Sequence, residues 1–182
     1  MKIELTDETF SRLQAIAKPL VDTPETVILR LLEGYVDSPK ASPGGYRLYD
    51  PQNPPSLFHT TVLSATLNGM PLRSAEAFWN NILVAMIKEL AVRKKTPADI
   101  RAIVQANTVT GEKTANGYKW IKEAGISLQG LDANNAWKNI AFVAMTTGQT
   151  VEVKFRWQDK EGLENANKVG MFAIPPVAKQ GD

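Results

Sequence analysis

The chain has 182 residues, of which 43% are hydrophobic and 8% aromatic, enough to form the core of one ordinary domain or two small ones and too many for a disordered chain. The absence of cysteine excludes disulfides, thiolate zinc sites and cysteine nucleophiles, and the formal net charge of +2 is too small to indicate a nucleic-acid partner by itself. The acidic start lacks the apolar core of a secretory signal, and no apolar run approaches the roughly 20 residues that span a bilayer, so we expect a cytoplasmic protein with no membrane partner.

The first residues predict a strand that leads directly into a helix. Ile3 and Leu5 alternate with polar neighbours, which is the period of a half-buried strand. Thr6 then provides a helix cap with acids behind it, and Phe10 and Leu13 share one apolar stripe. A second helix is predicted from Thr23, with a proline at its first position and Ile28, Leu31 and Leu32 on its apolar face.

Residues 1–36 form a unit too small to close a core alone, and its single strand has an unpaired edge. Pairing of two chains across a two-fold axis would solve both problems, so the sequence predicts a homodimer. The stretches IEL, DE, DTPE and ILRLL resemble the ribbon-helix-helix fold, and most closely the amino-terminal oligomerisation domain of the SeqA family of replication regulators. The predicted dimer contacts are Ile3, Leu5, Phe10, Leu13, Ile28, Leu31 and Leu32.

The resemblance implies a prokaryotic regulator, and double-stranded DNA is the expected partner of its second domain. Many members of the fold read bases from the outward face of the strand, which here carries Lys2, Glu4 and Thr6. A carboxylate at the centre of that face is repelled by phosphate, so pairing is the more plausible role of this strand. The free N–H groups near Thr23 could bind a phosphate, although Thr23 could equally serve only as a cap.

Residues 37–56 are predicted to be a linker. The stretch DSPKASPGGYRLYDPQNPP holds five prolines and a Gly-Gly pair and lacks periodic apolar residues. Residues up to Ser56 hold six Lys and Arg against eight Asp and Glu, whereas the remainder holds fifteen against eleven, so the charge changes sign at this boundary. We therefore expect a mixed α/β domain over residues 57–176 and a flexible tail over residues 177–182.

The second domain is predicted to have about three helices and a largely antiparallel sheet, which makes the whole chain α+β. A strand at TTVLSATLNG precedes the strongest helix, whose apolar spacing runs from Phe78 to Leu90. Arg93, Lys94 and Lys95 close that helix, either as complements of its dipole or as a phosphate-binding patch. Lys119 alternates with Tyr118 and Trp120 on a strand that could track nucleic acid or seal the core.

A polar, amide-rich segment follows at the start of the last helix. Asp132 is the predicted cap of DANNAWKNIAFVAMTTG, with Ala136, Ile140, Val143 and Ala144 facing inward. Asn and Gln can match adenine bidentately, so a recognition surface is predicted at Gln129, Asn134, Asn135 and Lys138. The alternative is that these amides satisfy the helix end.

Three classes of function remain open from sequence. The favoured one is a dimeric DNA-binding regulator of transcription, replication or a mobile element. The first alternative is a non-enzymatic interaction subunit of a larger assembly, because the net charge is small. The second is a Mg²⁺-dependent nuclease built from Asp132, Glu152 and Lys154. No catalytic residue, metal site or cofactor is otherwise predicted, and the single histidine, His59, has no partner for a metal.

Overall fold

The chain divides into two units, Met1–Lys40 and Ala41–Asp182, in a computed structural model that describes residues 6–16, 23–29 and 45–176. The first unit contains α1 (Asp7–Ile16) and a second helix, α2, over residues 24–29. The Thr23 hydroxyl oxygen accepts from the Thr26 backbone N–H at 3.2 Å, so Thr23 caps α2.

Most of the predicted dimer contacts lie outside the described residues. Ile3, Leu5, Leu31 and Leu32 are outside them, as is the side chain of Leu13. Phe10 is 41% exposed, and Ile28 is half-buried. The ribbon-helix-helix arrangement therefore stays a prediction.

The second unit contains two sheets and three α-helices among its described residues. The larger sheet has the order β1-β8-β7-β2-β3, in which β1 and β8 are parallel and the other pairs are antiparallel. Its strands are β1 (Arg47–Leu48), β2 (Thr60–Leu67), β3 (Met70–Pro71), β7 (Val151–Trp157) and β8 (Val169–Ile174). The smaller antiparallel sheet, in the order β4-β6-β5, consists of β4 (Thr108–Thr110), β5 (Tyr118–Ile121) and β6 (Ile126–Gln129). The predicted α+β class is confirmed.

The helices of this unit are α3 (Trp79–Val92), α4 (Pro97–Ile103) and α5 (Ala133–Thr147), with 3₁₀ turns at Ser74–Glu76 and Lys122–Ala124. The predicted cap of α5 is formed by Asp132, and at the start of α4 the Thr96 hydroxyl accepts from the Asp99 backbone N–H at 3.2 Å. Phe78, predicted to face inward, is 57% exposed, because α3 begins one residue later and Trp79 enters the core instead. None of the described helices combines the length and the apolar character that crossing a bilayer requires.

Aromatic side chains form the centre of the core where α3 and α5 meet the larger sheet. The Trp137 ring from α5 stacks on the Phe172 ring from β8 with centroids 4.0 Å apart and an interplanar angle of 12°. Phe172 also stacks on Phe155 of β7, with centroids 4.9 Å apart. This packing fixes α5 on the sheet and leaves its opposite side facing outward.

Residues 45–56, which the sequence assigned to a linker, are packed into the second unit. Arg47 and Leu48 pair in parallel with β8. The centroid of the Tyr49 ring lies 5.7 Å from that of the Trp157 ring and 6.3 Å from that of the Phe172 ring. The Trp157 indole Nε1 donates to the carbonyl oxygen of Ser56 at 2.9 Å. The second unit therefore begins before residue 57, because long-range strand pairing and indole hydrogen bonds hold this proline-rich segment in place.

Candidate functional site

A groove of about 490 Å³ runs along the outward side of α5 and brings three of the predicted recognition residues together. Asn134, Asn135 and Lys138 line it with residues of the Pro51–Pro54 segment and with Gln105, which follows α4. The complete lining is Pro51, Gln52, Pro54, Gln105, Asn134, Asn135, Trp137, Lys138, Ala141, Phe142 and Met145. Its volume lies within the range typical of ligand pockets.

The floor of the groove is apolar. Trp137 and Ala141 are buried beneath it, whereas Phe142 and Met145 remain 37% and 39% exposed. Lys138, Phe142 and Met145 lie on one side of α5 because residues four and seven positions apart share a helix face. The apolar end of the groove is therefore open to solvent.

The Pro51–Pro54 wall is held against α5 by hydrogen bonds on both sides of the segment. The Trp137 indole Nε1 donates to the carbonyl oxygen of Pro51 at 3.0 Å. The backbone N–H of Leu57, which is fully buried, donates to Asn134 Oδ1 at 2.8 Å. These bonds hold the wall in position without a ligand, so a binding partner would not have to order it.

Asp50 stabilises the turn within the same wall. Its carboxylate accepts from the Gln52 backbone N–H at 2.9 Å and from Asn53 Nδ2 at 2.8 Å, and these hydrogen bonds lower the pKa of Asp50. The turn directs the Gln52 side chain towards the groove, where it is exposed. A carboxylate that prefers the charged state therefore supports this wall at neutral pH.

Polar groups at the groove remain available for a partner. Asn135 uses its backbone N–H and its Nδ2 to donate to the Asp132 carboxylate, at 3.0 and 2.6 Å. Its Oδ1 and the side-chain amides of Gln52 and Gln105 form no hydrogen bond with any described residue. These groups can therefore exchange hydrogen bonds with an incoming main chain.

One cationic side chain lines the groove. Lys138 is exposed and is the one charged side chain among the described residues that line the groove. Asp132 does not line the groove, and hydrogen bonds from Asn135 lower the pKa of Asp132, so this carboxylate is charged at neutral pH. The site therefore presents one cation beside an apolar floor.

Gln129, predicted to belong to the same recognition surface, does not line the groove. Its Oε1 accepts from Asn107 Nδ2 at 2.8 Å, and its Nε2 donates to the carbonyl oxygen of Asn116 at 3.3 Å. The amide thus joins two loops around β6. Lys119 is also separate, because its Nζ donates to Asn81 Oδ1 at 3.0 Å.

The Arg93–Lys95 cluster closes α3 and likewise does not line the groove. The Lys95 backbone N–H donates to the Leu90 carbonyl at 3.0 Å, with Lys94 in the left-handed region at φ 60°. Arg93 Nη1 donates to the Thr147 carbonyl at the end of α5, at 3.3 Å. The cations complement helix ends, while the Lys94 and Lys95 side chains form no ion pair within the described part of the chain.

The residues considered for a nuclease have other contacts. Asp132 caps α5, and Glu152 Oε1 lies 3.4 Å from Lys154 Nζ on the same strand. Across residues 6–16, 23–29 and 45–176, no three Asp, Glu or His side chains come together as a metal-binding group. Nothing in this arrangement favours the nuclease alternative.

Sequence reasoning missed the Pro51–Pro54 wall, Gln105 and the pair formed by Phe142 and Met145. The wall could not be found because local composition indicates a linker. A signal for Phe142 and Met145 existed, since both fall outside the inward stripe of Ala136, Ile140, Val143 and Ala144, all of which are buried as predicted. Apolar side chains on the outer side of a helix mark a surface that a partner can cover.

Comparison of the chain with models of protein families, with curated proteins and with solved structures found no match.

Proposed function

We propose that the chain is a non-enzymatic interaction subunit whose second unit binds a segment of a partner protein in the α5 groove. The observation that carries this proposal is an open groove with an apolar floor, unused amides at its rim and a wall held in place by Trp137 and Asn134. Such a surface combines area for hydrophobic contact with partners for main-chain hydrogen bonds.

The length of the groove suits a short extended peptide that lies along α5. From Asn134 to Met145 the helix rises by roughly 16 Å, at about 1.5 Å per residue. About five residues of an extended peptide, at roughly 3.3 Å each, cover that length. Because Phe142 and Met145 stay open to solvent, a passing segment can cover them without entering a closed cavity.

A duplex is a poorer occupant of this groove than a peptide. Affinity for DNA depends on several cations that neutralise phosphates, and Lys138 is the one such group among the described lining residues. The apolar floor offers nothing to a phosphate. Methionine and aromatic side chains, by contrast, are typical of protein-binding surfaces.

The first unit is proposed to join two copies of the chain. Phe10 and Leu29 are 41% and 51% exposed in a single chain, so both apolar side chains are available for a second copy. A dimer would carry two grooves, and a partner with two binding segments would then be bound with an increased effective concentration.

DNA binding by the dimer is the second candidate. It is favoured by Lys94 and Lys95, which follow Arg93 directly. Their side chains are exposed and form no ion pair with any described residue. If these cations bind phosphates, log affinity falls with log salt by about 0.9 per contact, and Lys94→Ala reduces the slope by about one. Titration of duplex DNA at several salt concentrations measures this, and a flat response excludes the candidate.

Selection of a displayed random-peptide library on the full-length protein tests the main proposal. We expect enriched peptides whose binding is lost in Phe142→Glu, because a carboxylate replaces the open apolar contact. Val92→Glu is the matched control, since Val92 is 74% exposed on α3 and does not line the groove. No enrichment, or equal loss in both variants, would contradict the proposal.

A further inference from the structure

We infer that the α5 groove selects a peptide that places an acidic residue at Lys138 and a bulky apolar side chain at Phe142 and Met145. This inference rests on the proposed function and adds the chemistry of the partner. It follows from the unequal distribution of charge and apolar surface along α5.

The first part of the inference is charge complementarity. Lys138 is exposed, lines the groove and forms no ion pair with any described residue. No carboxylate belongs to the described lining. The charged carboxylates of Asp50 and Asp132 accept hydrogen bonds from Gln52, Asn53 and Asn135, and neither forms an ion pair with Lys138. A partner carboxylate would therefore meet a cation that has no competing internal partner.

The second part is the apolar end of the groove. Phe142 and Met145 are 37% and 39% exposed there, above Ala141, which is only 4% exposed. A bulky aliphatic or aromatic side chain placed on them would cover apolar surface that the chain itself leaves open. The unbranched thioether of Met145 can adapt to either shape.

The spacing between the two parts sets the sequence of the partner. Phe142 and Met145 follow Lys138 by four and seven residues, which corresponds to roughly 6 and 10 Å along the helix. An extended peptide covers this distance in about two to three residues. The expected partner sequence has an acidic residue two to three positions from a large apolar residue, in either chain direction.

The test is a comparison of peptides selected from one displayed random library on the full-length protein and on two variants. We expect acidic residues near an apolar residue to be enriched on the wild type and on Lys160→Glu, a control whose lysine is exposed and does not line the groove. On Lys138→Glu we expect enrichment of Lys or Arg instead. A synthetic acidic peptide should bind Lys138→Glu about five- to tenfold more weakly than the wild type.

The outcomes separate this inference from the proposed function. If Phe142→Glu abolishes binding but Lys138→Glu selects the same peptides as the wild type, the groove binds peptides and the inference about an acidic residue at Lys138 is overturned. If no peptide is enriched on any form, both are overturned. If duplex DNA displaces the selected peptides and Lys138→Glu weakens DNA binding equally, the occupant is nucleic acid and the inference is also overturned.

Discussion

The indole Nε1 of Trp137 donates a hydrogen bond to the carbonyl oxygen of Pro51 at 3.0 Å, which ties the buried side of α5 to the wall of its outward groove. Trp137 also stacks on Phe172 of β8. One side chain therefore connects the sheet, the helix and the proline-rich segment, so the stability of the core and the shape of the groove depend on each other.

Trp137→Phe should lower both stability and peptide affinity. The variant removes the donor to Pro51 and part of a fully buried ring, and we expect a loss of about 2–4 kcal/mol in the free energy of unfolding. Trp120→Phe is the control, because Trp120 is half-buried and its indole makes no hydrogen bond with a described residue. Urea denaturation measures the loss of stability in the two variants. Equal losses would show that the hydrogen bond to Pro51 does not stabilise the fold.

Local sequence signals predicted the cap and the inward face of α5. Asp132 caps the helix, and Ala136, Ile140, Val143 and Ala144 are buried. These features depend on residues within a few positions of one another, so composition and period are sufficient to find them.

The wall of the groove depends on distant contacts and could not be predicted. Trp137 binds a carbonyl 86 positions earlier, and Trp157 binds the Ser56 carbonyl 101 positions earlier. The same limit applies to Gln129, whose amide is used by Asn107, 22 positions away. The sequence could identify amide side chains suited to recognition. Only the fold shows that Asn135 and Gln52 keep amide atoms without a hydrogen bond to a described residue, whereas both amide atoms of Gln129 are hydrogen-bonded.

Acid should destabilise the second unit through Asp132 and Asp50. Hydrogen bonds lower the pKa of both carboxyls in the fold, so as pH falls the unfolded chain takes up protons first, near its ordinary value of about 3.9. The two charged carboxylates therefore stabilise the fold fully above the pKa of the unfolded chain. This stabilisation is lost as the pH falls through the lower pKa of the folded state. Asp132→Asn, which keeps a capping oxygen, should show a smaller loss of stability between about pH 5 and pH 2 than the wild type. Thermal unfolding at several pH values checks this, and an unchanged pH profile in the variant would contradict it.

Deletion of residues 1–37 should leave a folded monomer. Ala41–Asp182 is a separate compact unit, so its core should persist without the first unit. The dimer contacts predicted at Ile3, Leu5 and Phe10 would be removed together. Analytical ultracentrifugation should give a dimer mass for the intact chain and a monomer mass for the deletion. A dimer mass for both, or a monomer mass for both, would contradict the assignment of dimerisation to the first unit.

Peptide binding in the α5 groove is tested most directly by titrating the full-length, ¹⁵N-labelled protein with the tightest-binding selected peptide and following the titration by NMR. We predict the largest chemical-shift changes in the backbone of residues 134–145, in the side-chain amides of Gln52 and Gln105, and in the Trp137 indole. Changes centred on Arg93–Lys95 or on Lys119, with the α5 signals unmoved, would contradict the claim that the α5 groove is the binding site.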